Sequence, residues 1–275
     1  QLQDEFTAMV NQFVSARIMM TLMLATVLLS GCVTTTDSRF AREADRQKAL
    51  TDYVQLASAY IGQGNFERAR HHLDRALEID SDYSPALAAK GLVFANEGEP
   101  ELAESNFRRA ISADSKNTRA NVYYGAFLYG QGRMELARDQ FARASGDTGY
   151  RDRGSVFFNL GMTQEQLGDF PAAISSYRRA TELARGDPKT LLALSRVLLE
   201  TGDVNAADYY YSRLLTIMQR SDRLQHSSES LLVGVRIARL LDKRDQEASL
   251  ALMLRNNFPE SAELRQYKVL MSNGQ

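Results

Sequence analysis

The sequence predicts an all-α chain, folded as a right-handed superhelix of about six stacked helical hairpins. Three columns of residues carry that expectation. Gly64, Gly98, Gly132, Gly168 and Gly202 are spaced 34, 34, 36 and 34 residues apart. Ala69, Ala103, Ala137, Ala173 and Ala207 keep the same spacing, and so do Leu73, Phe107, Phe141, Tyr177 and Tyr211. Glycine is only 17 of the 275 residues, so five in one frame mark a true repeat. Five prolines and no tryptophan suit a mostly helical chain.

Residues 1–31 read as a signal peptide with an upstream extension. The twelve residues from Ile18 to Leu29 follow Arg17 and are apolar. A bilayer span needs about twenty, whereas a signal peptide needs fewer. The run ends at Leu29-Ser30-Gly31-Cys32, which resembles a bacterial lipobox. Cys32 is therefore expected to carry diacylglycerol and an acyl chain as the mature N-terminus; the alternative is a buried core cysteine after a short apolar helix. Asp4 and Glu5 do not suit a signal n-region, so translation is expected to start at Met9. By resemblance to other lipoproteins, Val33 after the cysteine points to the outer membrane and its periplasmic face. Residues 32–49 form a lipidated tether, polar from Val33 to Ser38, and then a charged lead-in over 39–49 that is expected to extend the first helix.

The repeats then run 50–83, 84–117, 118–151, 154–187 and 188–221, with Asp152 and Arg153 inserted as a longer loop. This period and these columns are those of the tetratricopeptide repeat. The eighth positions are small (Ala57, Gly91, Gly125, Gly161, Ser195) because the two helices of a hairpin approach closely there. The fifteenth is glycine because the turn needs positive φ. Tyr60, Phe94, Leu128 and Leu198 at the eleventh position fill space between hairpins. Residues 229–275 give a degenerate sixth unit with a capping helix; Ala248 stands near the expected column, and the turn glycine is missing.

Stacked hairpins of this kind offer a concave face and supply no chemistry of their own. Positions 2, 5, 9 and 12 of each first helix point into it, and the candidate partner-binding groove is Val54, Tyr60, Ile61, Leu92, Val122, Tyr129, Phe158 and Met162. Glu165, Leu192, Arg196 and Leu199 share these columns in a surface that reads as mainly apolar, suited to an extended or helical peptide. The first helix has no preceding hairpin to cover it, so docking is expected at the N-terminal end through Val54 and Ile61, with Leu199 as a distal control.

Other functions find little support. Lys plus Arg number 33 against 34 Asp plus Glu, a net charge of −1, which gives no field for nucleic acid. His71 and His72 are adjacent and read as solvated, His226 lies in a loop, and no metal spacing emerges. No catalytic residues, metal or cofactor beyond the lipid on Cys32 are expected, and the chain is read as non-enzymatic.

Two stretches are more specific than the repeat. Tyr124-Gly125-Ala126-Phe127-Leu128-Tyr129 precedes Ala144-Ser145, Asp147-Thr148-Gly149-Tyr150-Arg151 and Phe158-Asn159-Leu160-Gly161. Later, Ser230-Leu231-Leu232-Val233-Gly234-Val235-Arg236-Ile237-Ala238 precedes Asp245 and Asn257-Phe258-Pro259. With the lipobox and six units, the chain resembles the type IV pilus biogenesis and stability lipoprotein family (PilF/PilW) from Cys32 to about Tyr267. The resemblance implies a pilotin, which binds the type IV pilus secretin in the periplasm and promotes its outer-membrane localisation and multimerisation. The alternative is a lipid-anchored scaffold for other envelope-assembly partners.

Overall fold

A computed structural model describes residues 39–221 and 223–272. The expectations for the signal peptide, Cys32 and the 33–38 tether lie outside the described residues. Among the described residues, 39–47 and those from Lys48 onward belong to separate units.

All regular structure among the described residues is helical. The thirteen helices are α1 (Arg39–Gly62), α2 (Phe66–Ile79), α3 (Ser84–Glu97), α4 (Pro100–Ala113), α5 (Thr118–Gly130), α6 (Met134–Ser145), α7 (Arg153–Gln166), α8 (Phe170–Leu183), α9 (Pro188–Glu200), α10 (Val204–Gln219), α11 (Ser228–Leu240), α12 (Arg244–Asn257) and α13 (Ala262–Ser272). The charged lead-in is thus the opening of α1. From Lys48 the helices pair as hairpins, each packed on the next, and α13 packs on α11.

Local chemistry sets the helix boundaries. The side chains of Asn65, Asn117, Asp169, Asp187, Asp203 and Ser227 accept N–H groups from the first turns of α2, α5, α8, α9, α10 and α11. Pro85, Pro100, Pro171 and Pro188 occupy first-turn positions where no helical donor is lost. The five turn glycines have φ between 72° and 85°.

The columns explain one another. The alanine column is fully buried, and the aromatic column is at most 1% exposed. A Cβ on Gly91 would stand 2.7 Å from the Phe107 ring; one on Gly125 would meet Phe141 at 2.9 Å, and one on Gly161 would meet Tyr177 at 2.7 Å. Ordinary carbon contacts lie near 3.5–4.0 Å, so in the second to fourth repeats glycine at position 8 is what admits an aromatic at position 24; in the fifth, Ser195 stands at position 8 and Tyr211 lies against Gly234 instead. In the first repeat, where that position is Leu73, Ala57 is accommodated with both buried.

The loop between the third and fourth repeats is held by Asp147. Its carboxylate accepts the Thr118 hydroxyl at 2.5 Å and the Gly149 N–H at 2.9 Å. These bonds, led by the Thr118 hydroxyl, hold the Asp147 carboxyl below its usual range. The two inserted residues are taken up at the start of α7, which begins at Arg153 and packs on α6, so the stack continues.

The sixth hairpin departs from expectation in two ways. Ala248 is exposed, and the buried residues of α12 are Leu250, Ala251 and Leu254. The turn that lacks glycine still uses the left-handed region, with Asp242 at φ 53°. Tyr211, the aromatic of the fifth repeat, leans across this junction: its ring meets Gly234, and its hydroxyl donates to the Ser230 carbonyl at 2.9 Å. A repeat-by-repeat reading misses a glycine and aromatic drawn from different repeats.

Candidate functional site

First helices line the concave face, and the middle of that face holds a cleft of about 290 Å³ between α5, α7 and α9, reached also by α8 and α11. Its apolar wall is Tyr129, Phe158, Met162, Leu192 and Ala193; its polar side is Glu165, Gln166, Tyr177, Lys189, Arg196 and Glu229. Phe158 and Met162 pack at their inner ends against the large C-terminal core cluster. Their outer surfaces stay half-exposed because the neighbouring first helices leave room over them.

A charged network crosses the floor of the cleft. The Tyr177 hydroxyl donates to Glu165 Oε2 at 2.8 Å, and the Arg196 guanidinium pairs with both oxygens of Glu165. Arg196 Nε also faces Glu229 Oε1 at 2.9 Å, although its alignment does not make a hydrogen bond. Burial, with the Glu165 carboxylate second, pushes the Tyr177 phenol far above its usual range, so it remains a donor. The net effect for Arg196 is upward despite desolvation, because Glu165 bonds and attracts it. The network spans α7, α8, α9 and α11, tying three repeats together. Glu165 and Arg196 neutralise each other where an isolated charge would be costly.

Of the eight groove candidates, Tyr129, Phe158 and Met162 converge on the cleft. Tyr60 and Ile61 lie at the other end, half-buried against the N-terminal core. The Tyr60 ring stacks on His72, with centroids 5.4 Å apart and planes 4° apart. His72 is therefore packed, not solvated, and its Nδ1 has no partner. Leu92 packs half-buried against the core of the second and third repeats, and Val122 is half-buried on α5.

Val54 is a correction. At 6% exposure it belongs to the N-terminal core with Leu50, Ala57 and Leu73. It follows Leu50 by four residues and precedes Ala57 by three, which places it on the inward stripe of α1. Docking through Val54 is accordingly withdrawn, although Leu56 nearby is 47% exposed. Leu199 is 5% exposed and cannot serve as a neutral distal control. The expectation of a mainly apolar surface is corrected as well, since the ion network occupies its centre. Tyr177, Lys189 and Glu229 were missed as site residues. The available signal was the 31-residue separation of Glu165 and Arg196, about one helical turn short of the repeat, which sets them diagonally across adjacent first helices.

Among the described residues no three His, Asp or Glu side chains converge as metal ligands, and no helix is long and apolar enough to cross a membrane. The helical columns and the concave cleft define a tetratricopeptide-repeat protein. Models of that repeat match residues 54–117, 88–150 and 154–187. The chain is 34% identical over 246 residues to the type IV pilus assembly protein PilF of Pseudomonas aeruginosa, covering 89% of this chain and 95% of that one. The solved Pseudomonas aeruginosa PilF structure superposes with a TM-score of 0.72 at 34% identity, covering 82% of this chain and 99% of that one. PilW, described as a widely conserved type IV pilus biogenesis factor, gives a TM-score of 0.63 at 25% identity over 79% of this chain and 97% of its own. The chain belongs to the PilF/PilW family of tetratricopeptide-repeat proteins.

Proposed function

We propose that this chain acts in type IV pilus biogenesis as an outer-membrane lipoprotein, anchored through acylated Cys32. In this reading it binds the pilus secretin in the periplasm, brings it to the outer membrane and promotes its multimerisation. The role is that of a non-enzymatic binding module. The observation that carries the proposal is the concave cleft. Apolar side chains of Tyr129, Phe158, Met162 and Leu192 stand half-exposed beside charges that already satisfy one another. A surface of that kind gains by burying apolar area against a partner without breaking ion pairs. Family membership supports the pilus context, and two acyl chains supply an anchor that one chain supplies only marginally.

The test uses cells that assemble the secretin. The lipoprotein is captured from solubilised outer membrane, and secretin multimers are measured beside it. Wild type should retain the secretin. Tyr129→Ala should reduce capture roughly tenfold or more, as for loss of an interface anchor of about 2 kcal/mol. Cys32→Ala should leave both proteins out of the outer membrane. Capture of a different set of envelope proteins, with secretin multimers unchanged in the absence of this chain, would favour the scaffold reading.

A further inference from the structure

Two hollows on the concave face share a wall. The cleft and a smaller hollow of about 90 Å³ both use Tyr129 and Met162, and the smaller one is completed by Asn159. Asn159 is half-buried; its backbone carbonyl accepts the Thr163 hydroxyl, but its side-chain amide has no partner among the described residues. The contrast is Asn121, whose amide donates to the carbonyls of Ser115 and Asn117. A side-chain amide offers donors and an acceptor in one plane, which a peptide unit in extended backbone can match.

The charges of the cleft are unequally committed. Glu165 is taken by Tyr177 and Arg196, and Arg196 by Glu165 and Glu229. Lys189 is exposed and has no carboxylate within ion-pairing distance, although it lines the same cleft. Its ammonium is the cationic group there left for an incoming charge. The hollow, some 290 Å³, has room for one leucine- or phenylalanine-sized side chain. The uncommitted Asn159 amide beside it suits a partner whose peptide groups are not already bonded within a helix.

We infer that the concave face takes an extended segment of its partner, with a bulky apolar side chain in the cleft and a carboxylate one or two residues away. Asn159 holds the backbone, Tyr129, Phe158, Met162 and Leu192 hold the apolar side chain, and Lys189 holds the carboxylate. This rests on the reading of the concave face as the secretin-binding surface and specifies what that surface recognises.

The experiment is an array of overlapping 15-residue peptides tiling the periplasmic part of the secretin, probed with the solubilised full-length lipoprotein. Bound peptides should share a bulky apolar residue with Asp or Glu within two positions. Replacing that acid by lysine should weaken binding about tenfold, and Lys189→Glu should invert the preference. Asn159→Leu should weaken every bound peptide several-fold while leaving the melting curve unchanged, since its amide has no internal partner. Bound peptides indifferent to Lys189→Glu and Asn159→Leu would overturn the inference, and so would an empty array while intact secretin still co-purifies; the secretin-binding reading survives both. Failure of intact secretin to co-purify removes that reading and the inference with it.

Discussion

Replacing Gly161 by alanine tests whether the repeat columns are set by one close contact. The added methyl would stand 2.7 Å from both Cδ1 and Cε1 of Tyr177 and 3.1 Å from Cγ, well inside ordinary contact. The ring cannot slide away freely. It is fully buried, and its hydroxyl is held by Glu165 at 2.8 Å, which in turn holds Arg196. Overpacking of this sort costs about 1–3 kcal/mol. Alanine recovers about 0.5–1 kcal/mol over glycine in a helix, leaving a net loss of about 1 kcal/mol at the middle of these ranges and about 2.5 kcal/mol at most. At about 2–4 °C per kcal/mol for a chain of this size, that mid-range loss should lower the melting temperature followed by circular dichroism by roughly 2–4 °C. Gly62→Ala is the control, because nothing lies within 4 Å of a Cβ there. Adding Tyr177→Leu recreates the Ala57–Leu73 pairing of the first repeat. The double variant should then be less destabilised than the sum of the singles by about 1 kcal/mol. Strict additivity, or a Gly161→Ala protein as stable as wild type, would refute the contact as the cause of the glycine column.

Two further predictions concern the C-terminal end. Asp242→Gly should stabilise by up to about 1 kcal/mol in urea titrations, because aspartate holds φ 53° at a cost glycine avoids; the exposed Arg244 contact it loses is worth little. Burial lowers the His226 pKa, so its neutral form is favoured on folding. The unfolded chain then binds more protons, and stability present above about pH 6.5 should decline as pH falls from there toward the folded value. His226→Gln should lose less melting temperature than wild type between pH 7.5 and pH 5.5; parallel curves would contradict this.

The fold was legible because its determinants recur at one spacing. Gly161 and Tyr177 lie on the two helices of one hairpin, and that contact is copied at Gly91 with Phe107 and Gly125 with Phe141. The sixth hairpin was harder to read because Asp242 does the turn glycine's task and Gly234 serves Tyr211 of the repeat before it. The site was legible in part. Tyr129, Phe158 and Met162 follow from helical spacing, which also put Val54 in the groove. An apolar residue at that position suits a core and a groove equally, and only the packing of α1 against its neighbours distinguishes them. The charged floor joins Glu165, Tyr177, Arg196 and Glu229 at unequal separations, so no local pattern announces it.

In the proposed role it is the concave face, not the convex one, that meets the secretin. A photo-crosslinking amino acid placed at Gln166, exposed on the rim of the cleft, reads that face directly in living cells. The matched probe is Tyr209, 60% exposed on the second helix of the fifth hairpin. A secretin adduct is expected from position 166 and none from position 209. A secretin adduct from 209 with none from 166 would contradict this expectation.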